Sequence, residues 1–264
     1  MKIVTYGSIA YLKAENLSVP HGFTTRLGGV SKAPFDSLNL GMHRGDPAEN
    51  VAQNHARLAQ AVGYDVSRLV MSHQIHSDVV RRVTAADAQG FDHHLYPTCD
   101  GLITNEPEVA LWVFTADCTP ILLHDPVTGA VGAVHAGWRG TAAAIGTKAV
   151  EAMVEAYGCR REDIRAAIGP NIAQCCFETD PDVPEAMVKT YGKAAEPFLR
   201  PSGEKYYVNL KEINALSLRQ AGVRDIAISS LCTACEPGRF WSHRKMGSSR
   251  GSQGAIIVCK EAGR

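Results

Sequence analysis

Cys118 and His135 are the two residues whose spacing most directly suggests a shared chemical task. Ala116-Asp117-Cys118-Thr119-Pro120-Ile121-Leu122-Leu123-His124-Asp125-Pro126-Val127-Thr128-Gly129 reads as strand then turn, with Asp, Pro and Gly supplying the turn chemistry, and Ala130-Val131-Gly132-Ala133-Val134-His135 reads as the returning strand. A turn over residues 125–128 sets His124 opposite Gly129. Carried along the hairpin, that pairing puts Cys118 opposite His135, with Cβ atoms roughly 5 Å apart on one face. A thiolate and an imidazole so placed can share one zinc ion, with Zn–S near ~2.3 Å and Zn–N near ~2.0 Å. His124 has the same parity but lies ~20 Å along the strand from Cys118, so it is excluded as a ligand. The blander readings are a small buried apolar residue for Cys118 and a backbone-bonded core imidazole for His135.

A third ligand has to come from elsewhere in the chain. Ser72-His73-Gln74-Ile75-His76-Ser77 precedes a β-like run, Val79-Val80-Arg81-Arg82-Val83. If the segment is extended, Gln74 and His76 share a face and His73 points away. Spacing alone does not recruit His76; it favours two satisfied or surface histidines.

The elements that must position these residues follow from apolar periodicity. Strand-length runs occur at 109–114, 121–123, 131–134, 166–168, 226–228 and 255–259. Helices alternate with them. Asp46-Pro47-Ala48-Glu49 is a helix start, with Asp46 as cap, Pro47 at N1 and Glu49 at N3, and Gly63 as the stop. A second helix follows Thr141 and ends at Gly158. A third begins near Asp182, and a fourth has Asn209 as cap, Glu212 at N3 and Gly222 as its stop. Strands and helices mixed along the whole length predict an α/β or α+β fold. No repeat or linker divides the chain, so residues 1–264 are expected to form a single domain.

Bulk properties exclude several classes. Lys+Arg and Asp+Glu are both 27 in 264 residues, so no basic surplus points to nucleic acid. No apolar run reaches the ~20 residues of a membrane span, and the N-terminus lacks the apolar stretch of a signal peptide. A cytoplasmic location is expected. Eight cysteines in a chain of this size and kind point to metal binding, catalysis or burial before disulfides.

Gln74-Ile75-His76, Thr115-Ala116-Asp117-Cys118-Thr119-Pro120 and Ala133-Val134-His135-Ala136-Gly137-Trp138-Arg139-Gly140 resemble the signatures of the laccase-domain family. That family, first called multicopper polyphenol oxidase, is also described as purine nucleoside phosphorylase with adenosine deaminase activity. Phe23-Thr24-Thr25-Arg26-Leu27-Gly28-Gly29, Ser37-Leu38-Asn39-Leu40-Gly41, Ala167-Ile168-Gly169-Pro170 and Phe240-Trp241-Ser242-His243-Arg244 extend the likeness over nearly the whole chain. The resemblance implies a layered α/β sandwich of mixed β-sheets flanked by helices. It makes His76, Cys118 and His135 the metal ligands, and zinc the expected metal, with copper possible in vitro.

Three protein ligands leave a position open, the pattern of a catalytic zinc. The partners implied are a purine nucleoside and phosphate. Zinc can lower the pKa of water towards ~7, supplying the nucleophile for C6 of adenosine. Phosphorolysis instead needs cationic groups to hold phosphate and a donor to the leaving purine. Arg26, Arg139 and Arg244 lie in matched motifs and are candidates for the anion; each could equally be a structural partner. Asp117, beside Cys118, orients a ligand or acts as a base, with the first role preferred. His55 stands near where family members often carry an arginine, on the apolar face of its helix, and either replaces that arginine or is packed.

Cys232-Thr233-Ala234-Cys235 has C-x₂-C spacing that Cys175-Cys176 could complete. Adjacent cysteines do not easily present both sulfurs to one tetrahedral ion, so a second zinc site is not expected. Neither the Gly28-Gly29 pair nor Gly137 and Gly140 form a dinucleotide or P-loop fingerprint. Three rival activities remain: a copper-dependent phenol oxidase, a peptidoglycan-precursor hydrolase using Cys118 as nucleophile and His135 as base, and a non-enzymatic binding module. Ten histidines without one His-x-His pair weaken the first. The open metal position weakens the last.

Overall fold

Near-continuous apolar strands need cover on both faces, and the chain provides it with two stacked sheets and helices outside each. The computed structural model describes residues 1–42, 44–91 and 96–261. Among them, one six-stranded sheet runs Lys2–Tyr6, Ile9–Lys13, His21–Thr24, Gln253–Val258, Ala110–Thr115, Leu69–Val70. The second runs Asp225–Ile228, Arg165–Ile168, Thr119–His124, Val131–Ala136, Gly101–Thr104, Val80–Arg82. Both mix parallel and antiparallel pairs. A three-stranded sheet of Glu178–Thr179, Lys205–Val208 and Leu199–Ser202 stands apart.

Alternation along the strands assigns the layers. Leu111, Val113, Ala255 and Ile257 of the first sheet meet Leu102, Leu122, Ala133 and Ala167 of the second in one buried core. Trp112, Ile256 and Val258 point the other way, onto Leu58 of helix Ala48–Val62. Ile121, Leu123, Val134 and Ile168 face Ala149, Val150 and Met153 of helix Ile145–Tyr157 and Leu218 of helix Leu210–Gln220. The result is a helix–sheet–sheet–helix sandwich, the layered mixed-sheet architecture expected. No described helix is long and apolar enough to cross a membrane.

All six predicted strands and four predicted helices form, with ends displaced by a residue or two. Asn209 caps its helix by accepting from the Glu212 backbone N–H, and Gly63 and Gly158 close theirs in the left-handed conformation. Asp46 does not cap. Pro47 takes that place, and the Asp46 carboxylate accepts instead from Ser31 Oγ at 2.6 Å and Asn39 Nδ2 at 2.9 Å, pinning the preceding loop.

Candidate metal centre

The chain leaves the first sheet at Thr115 and enters the second at Thr119, so Cys118 stands at the crossover between them. The hairpin that follows has a longer turn than expected. Asp125 N–H donates to Ala130 O, while the Asp125 carboxylate accepts from the Val127 and Thr128 backbone and the Thr128 hydroxyl. Pro120 therefore pairs with His135 and His124 with Val131, two residues from the expected register. A shift of two preserves the face, because strand side chains alternate with period two. Cys118 lies beyond the paired strand, diagonal to His135, and the two still meet.

Asp117 makes that meeting possible. Its φ of 93° turns the chain sharply at the crossover, a conformation that costs a non-glycine residue about 1–3 kcal/mol unless its surroundings hold it. The Asp117 carboxylate accepts from Thr233 Oγ1 at 2.6 Å, Ser242 Oγ at 3.0 Å and Arg244 N–H at 2.7 Å. This corrects the sequence expectation. The Asp117 carboxylate bonds to no ligand imidazole; its three bonds brace the turn that presents Cys118.

The carboxylate that orients the ligands is Asp100, fully buried at the start of strand Gly101–Thr104. It accepts from His135 Nδ1 at 2.8 Å, from the Ile75, His76 and Ser77 N–H groups at 3.2, 3.1 and 2.7 Å, and from Ser77 Oγ at 2.6 Å. Burial alone raises its pKa, but the donors from His135 and Ser77 overcome this and hold it well below the usual carboxylate range. With Nδ1–H committed to Asp100, His135 turns Nε2 towards Cys118. The same carboxylate holds the Ile75–Ser77 backbone, where His76 takes φ 60°. The segment is thus a clamped turn and not the extended run expected. Gln74 pairs with the Phe114 backbone, Oε1 accepting at 2.6 Å and Nε2 donating at 2.8 Å.

The donor atoms of His76, Cys118 and His135 lie within 4.8 Å of one another, with Cys118 Sγ 3.8 Å from His76 Nε2. Ligands ~2.0–2.3 Å from a tetrahedral zinc stand about 3.3–3.8 Å apart, so this donor set fits the ion. A Cβ at Gly137 would lie 2.9 Å from the His76 ring and 3.4 Å from Cys118 Sγ, which explains a glycine there. Burial pushes the Cys118 thiol up, yet the neighbouring His135 charge and hydrogen bonds from both histidines bring it down to about 6. Burial pushes His135 down, and the Cys118 charge and the Asp100 bond lift it to about 9. The histidines thus favour the thiolate, the form that binds metal. His73 lines the adjoining cavity outside this cluster, and His124 is buried away from it.

That cavity has a volume of about 730 Å³, large enough for a nucleoside and an anion together. Of the three expected arginines, only Arg244 lines it, with Nη1 and Nη2 donating to Cys176 O and Glu178 O, both at 2.9 Å. Arg26 is a correction: its guanidinium donates to Asp36 O and Pro237 O and stacks 3.8 Å over Trp241. Arg139 is another, lying exposed over the Trp138 ring at 4.2 Å and outside the cavity lining. Two arginines in no recognised motif take their place, Arg44 and Arg250. Burial lowers both, and in Arg250 the nearby Arg44 charge adds to bring it to about 10. Neither forms an ion pair with a carboxylate among the described residues, and Arg250 Nε is buried without a partner. Arg250 Nη1 donates to Gly251 O at 2.8 Å and Ser252 Oγ at 3.4 Å; two guanidiniums without a carboxylate partner on one cavity wall are an arrangement suited to an anion.

His55 does not reach the cavity. It is fully buried, Nε2–H donates to Leu40 O at 2.9 Å, and its ring packs against Phe91 and Trp112. The packed alternative holds, and a phosphate role for His55 is withdrawn. Burial pulls its pKa down to about 4. The unfolded chain, titrating near the ordinary imidazole value of about 6.5, binds the proton more tightly, so stability is full above that value and is lost as pH falls towards 4. This residue alone should cost about 2 kcal/mol between pH 7 and pH 5. His55→Leu should lower the melting temperature at pH 7, through the lost hydrogen bond, and shrink the pH 7 to pH 5 difference. Turnover should stay near wild type. An unchanged pH dependence of melting would contradict this reading.

The remaining correction concerns cysteines. Cys175, Cys176, Cys232 and Cys235 bring their sulfurs within 4.8 Å of one another, although the first two are adjacent. A turn over residues 174–176 directs both sulfurs to one side.

Residues 20–260 match the family described as multi-copper polyphenol oxidoreductase laccase. The chain is 37% identical over 259 residues to purine nucleoside phosphorylase YlmD of Bacillus subtilis, covering 96% of this chain and 93% of that protein. It is 39% identical over 254 residues to a purine nucleoside phosphorylase of Deinococcus radiodurans, covering 96% and 94%. The crystal structure of YlmD from Geobacillus stearothermophilus superposes with a TM-score of 0.91 at 35% identity, over 98% of this chain and 99% of that one. With the match spanning most of its length, the chain belongs to the multi-copper polyphenol oxidoreductase laccase family.

Proposed function

We propose that this chain is a zinc-dependent purine nucleoside phosphorylase that also deaminates adenosine. The observation that carries the reading is the convergence of His76, Cys118 and His135 at the edge of a cavity also lined by arginines that have no carboxylate partner among the described residues. The names of its relatives in Bacillus subtilis and Deinococcus radiodurans point the same way. Zinc, when bound to the three side chains, supplies Lewis acidity at an open fourth position.

The chain's own residues do the rest. Arg44 and Arg250 hold phosphate, with Arg244 on the same wall. Ile172, Phe114 and Phe177 give the flat purine an apolar face. In phosphorolysis a phosphate oxygen bonds to ribose C1′, the bond from C1′ to the purine breaks, and the electron pair leaves with the base. That base needs a proton, and His73 and His243 are the cavity imidazoles outside the ligand set. In deamination water adds at C6 and ammonia leaves.

A purine panel with and without phosphate tests the reading. Adenosine, inosine, guanosine and methylthioadenosine should release free base only with phosphate, whereas adenosine should yield inosine without it. Base release that ignores phosphate would defeat the phosphorylase assignment. Arg44→Ala should raise the phosphate KM by about 10- to 100-fold, the effect of one charge-assisted hydrogen bond. The nucleoside KM should change far less. Equal phosphate KM values in variant and wild type would remove Arg44 from the anion site.

A further inference from the structure

We propose that Cys175, Cys176, Cys232 and Cys235 form a second, closed metal site that binds zinc as a four-thiolate structural centre. The sulfur separations are 3.7 Å for Cys175–Cys176, 3.6 Å for Cys175–Cys235 and 3.4 Å for Cys176–Cys235. Four sulfurs ~2.3 Å from a tetrahedral ion stand about 3.8 Å apart. The observed edges are close to that value and far beyond the ~2.05 Å of a disulfide. All-sulfur tetrahedral coordination selects zinc or iron among divalent metals, and zinc needs no redox partner.

Backbone donors converge on one of the four sulfurs. The Ala173 N–H donates to Cys232 Sγ at 3.3 Å, and N–H groups of Ala234 and Cys235 also point at that sulfur. A four-thiolate zinc carries two net negative charges, and a buried cation lies beside it. Lys211, 5% exposed, donates through Nζ to the carbonyl of Leu231, next to Cys232.

The site joins two distant segments behind the cavity wall. One follows strand Arg165–Ile168 and the other follows strand Asp225–Ile228, its parallel neighbour. An isolated bridge between Asn171 and Cys232 already aligns them. Thr233, between two of the cysteines, donates to Asp117, and Arg244 donates to the Cys176 carbonyl. A metal here fixes the turn that presents Cys118 without entering the chemistry.

Zinc per chain, measured by mass spectrometry on full-length protein purified with reductant, tests the proposal. Wild type should carry two zinc ions, Cys118→Ser one, and the Cys175→Ser/Cys235→Ser double variant one. The ion kept by Cys118→Ser, exchanged for cobalt, should give the intense charge-transfer absorption of four thiolates. If the double variant does not fold, Cys175→Ser alone, at an exposed position, should lose that zinc to a chelator at least tenfold faster than wild type. Equal zinc content in wild type and the double variant would overturn the site. So would four thiols missing, with no second zinc, when the denatured unreduced wild type is titrated, since the cysteines would then be disulfide-paired. A single zinc that survives Cys118→Ser would sustain this site and instead defeat the catalytic one.

Discussion

Cys118→Ser should abolish metal binding at the His76–Cys118–His135 centre and remove phosphorolysis and deamination together. The serine hydroxyl stays protonated at neutral pH, whereas the neighbouring histidines draw the native thiol down and favour the thiolate. Loss of activity should be on the order of 10³-fold or more, as for removal of a principal electrostatic catalyst. The same thiolate beside His135 is what a cysteine nucleophile would require, so activity loss alone does not separate the two chemistries. Metal content and covalent labelling do. The metal account expects loss of one zinc in the variant and no substrate adduct on wild-type Cys118 by mass spectrometry. A trapped adduct, with wild-type turnover indifferent to chelators, would establish the nucleophile instead.

Asp100→Asn should have the second largest effect, although Asp100 does not line the cavity itself. The carboxylate accepts from His135 Nδ1 and from three successive backbone N–H groups around His76. An amide in its place puts a donor where one of those donors already points, and it favours the other His135 tautomer. Loss of such an orienting carboxylate typically costs 10- to 100-fold in metal affinity or activity. Excess zinc should restore part of the Asp100→Asn rate, because the ligands themselves remain. Zinc affinity within twofold of wild type would show that the clamp does not set the ligand geometry.

The difference between Asp100 and Asp117 shows what spacing conveys. Asp117 stands next to Cys118 in the chain, yet its φ of 93° swings its carboxylate towards Thr233, Ser242 and Arg244. Asp100 is remote from both histidines in sequence, and only the pairing of Gly101–Thr104 with Val131–Ala136 brings it under His135. A buried carboxylate needs partners, and nothing local to Cys99-Asp100-Gly101 names them. His76 is similar: its left-handed backbone depends on that same distant group, and only family resemblance singled it out. The layers, by contrast, were legible, because runs such as Leu111-Trp112-Val113 and Ile121-Leu122-Leu123 are buried on both faces. The hairpin was legible in face but not in register, since the Asp125 side chain set the turn length. Arg26 and Arg139 sat in recognisable motifs but serve Trp241 and Trp138. Arg44 and Arg250 sat in none, and reach the cavity through loops that carry no periodic signal.

Removal and return of metal test the central claim most directly. Wild-type protein stripped by a chelator, with zinc content verified, is assayed for phosphate-dependent release of hypoxanthine from inosine before and after stoichiometric zinc is restored. The account predicts near-complete loss on stripping and recovery on reloading in wild type, with no recovery in Cys118→Ser. Full phosphorolysis by rigorously metal-free wild-type protein would contradict it.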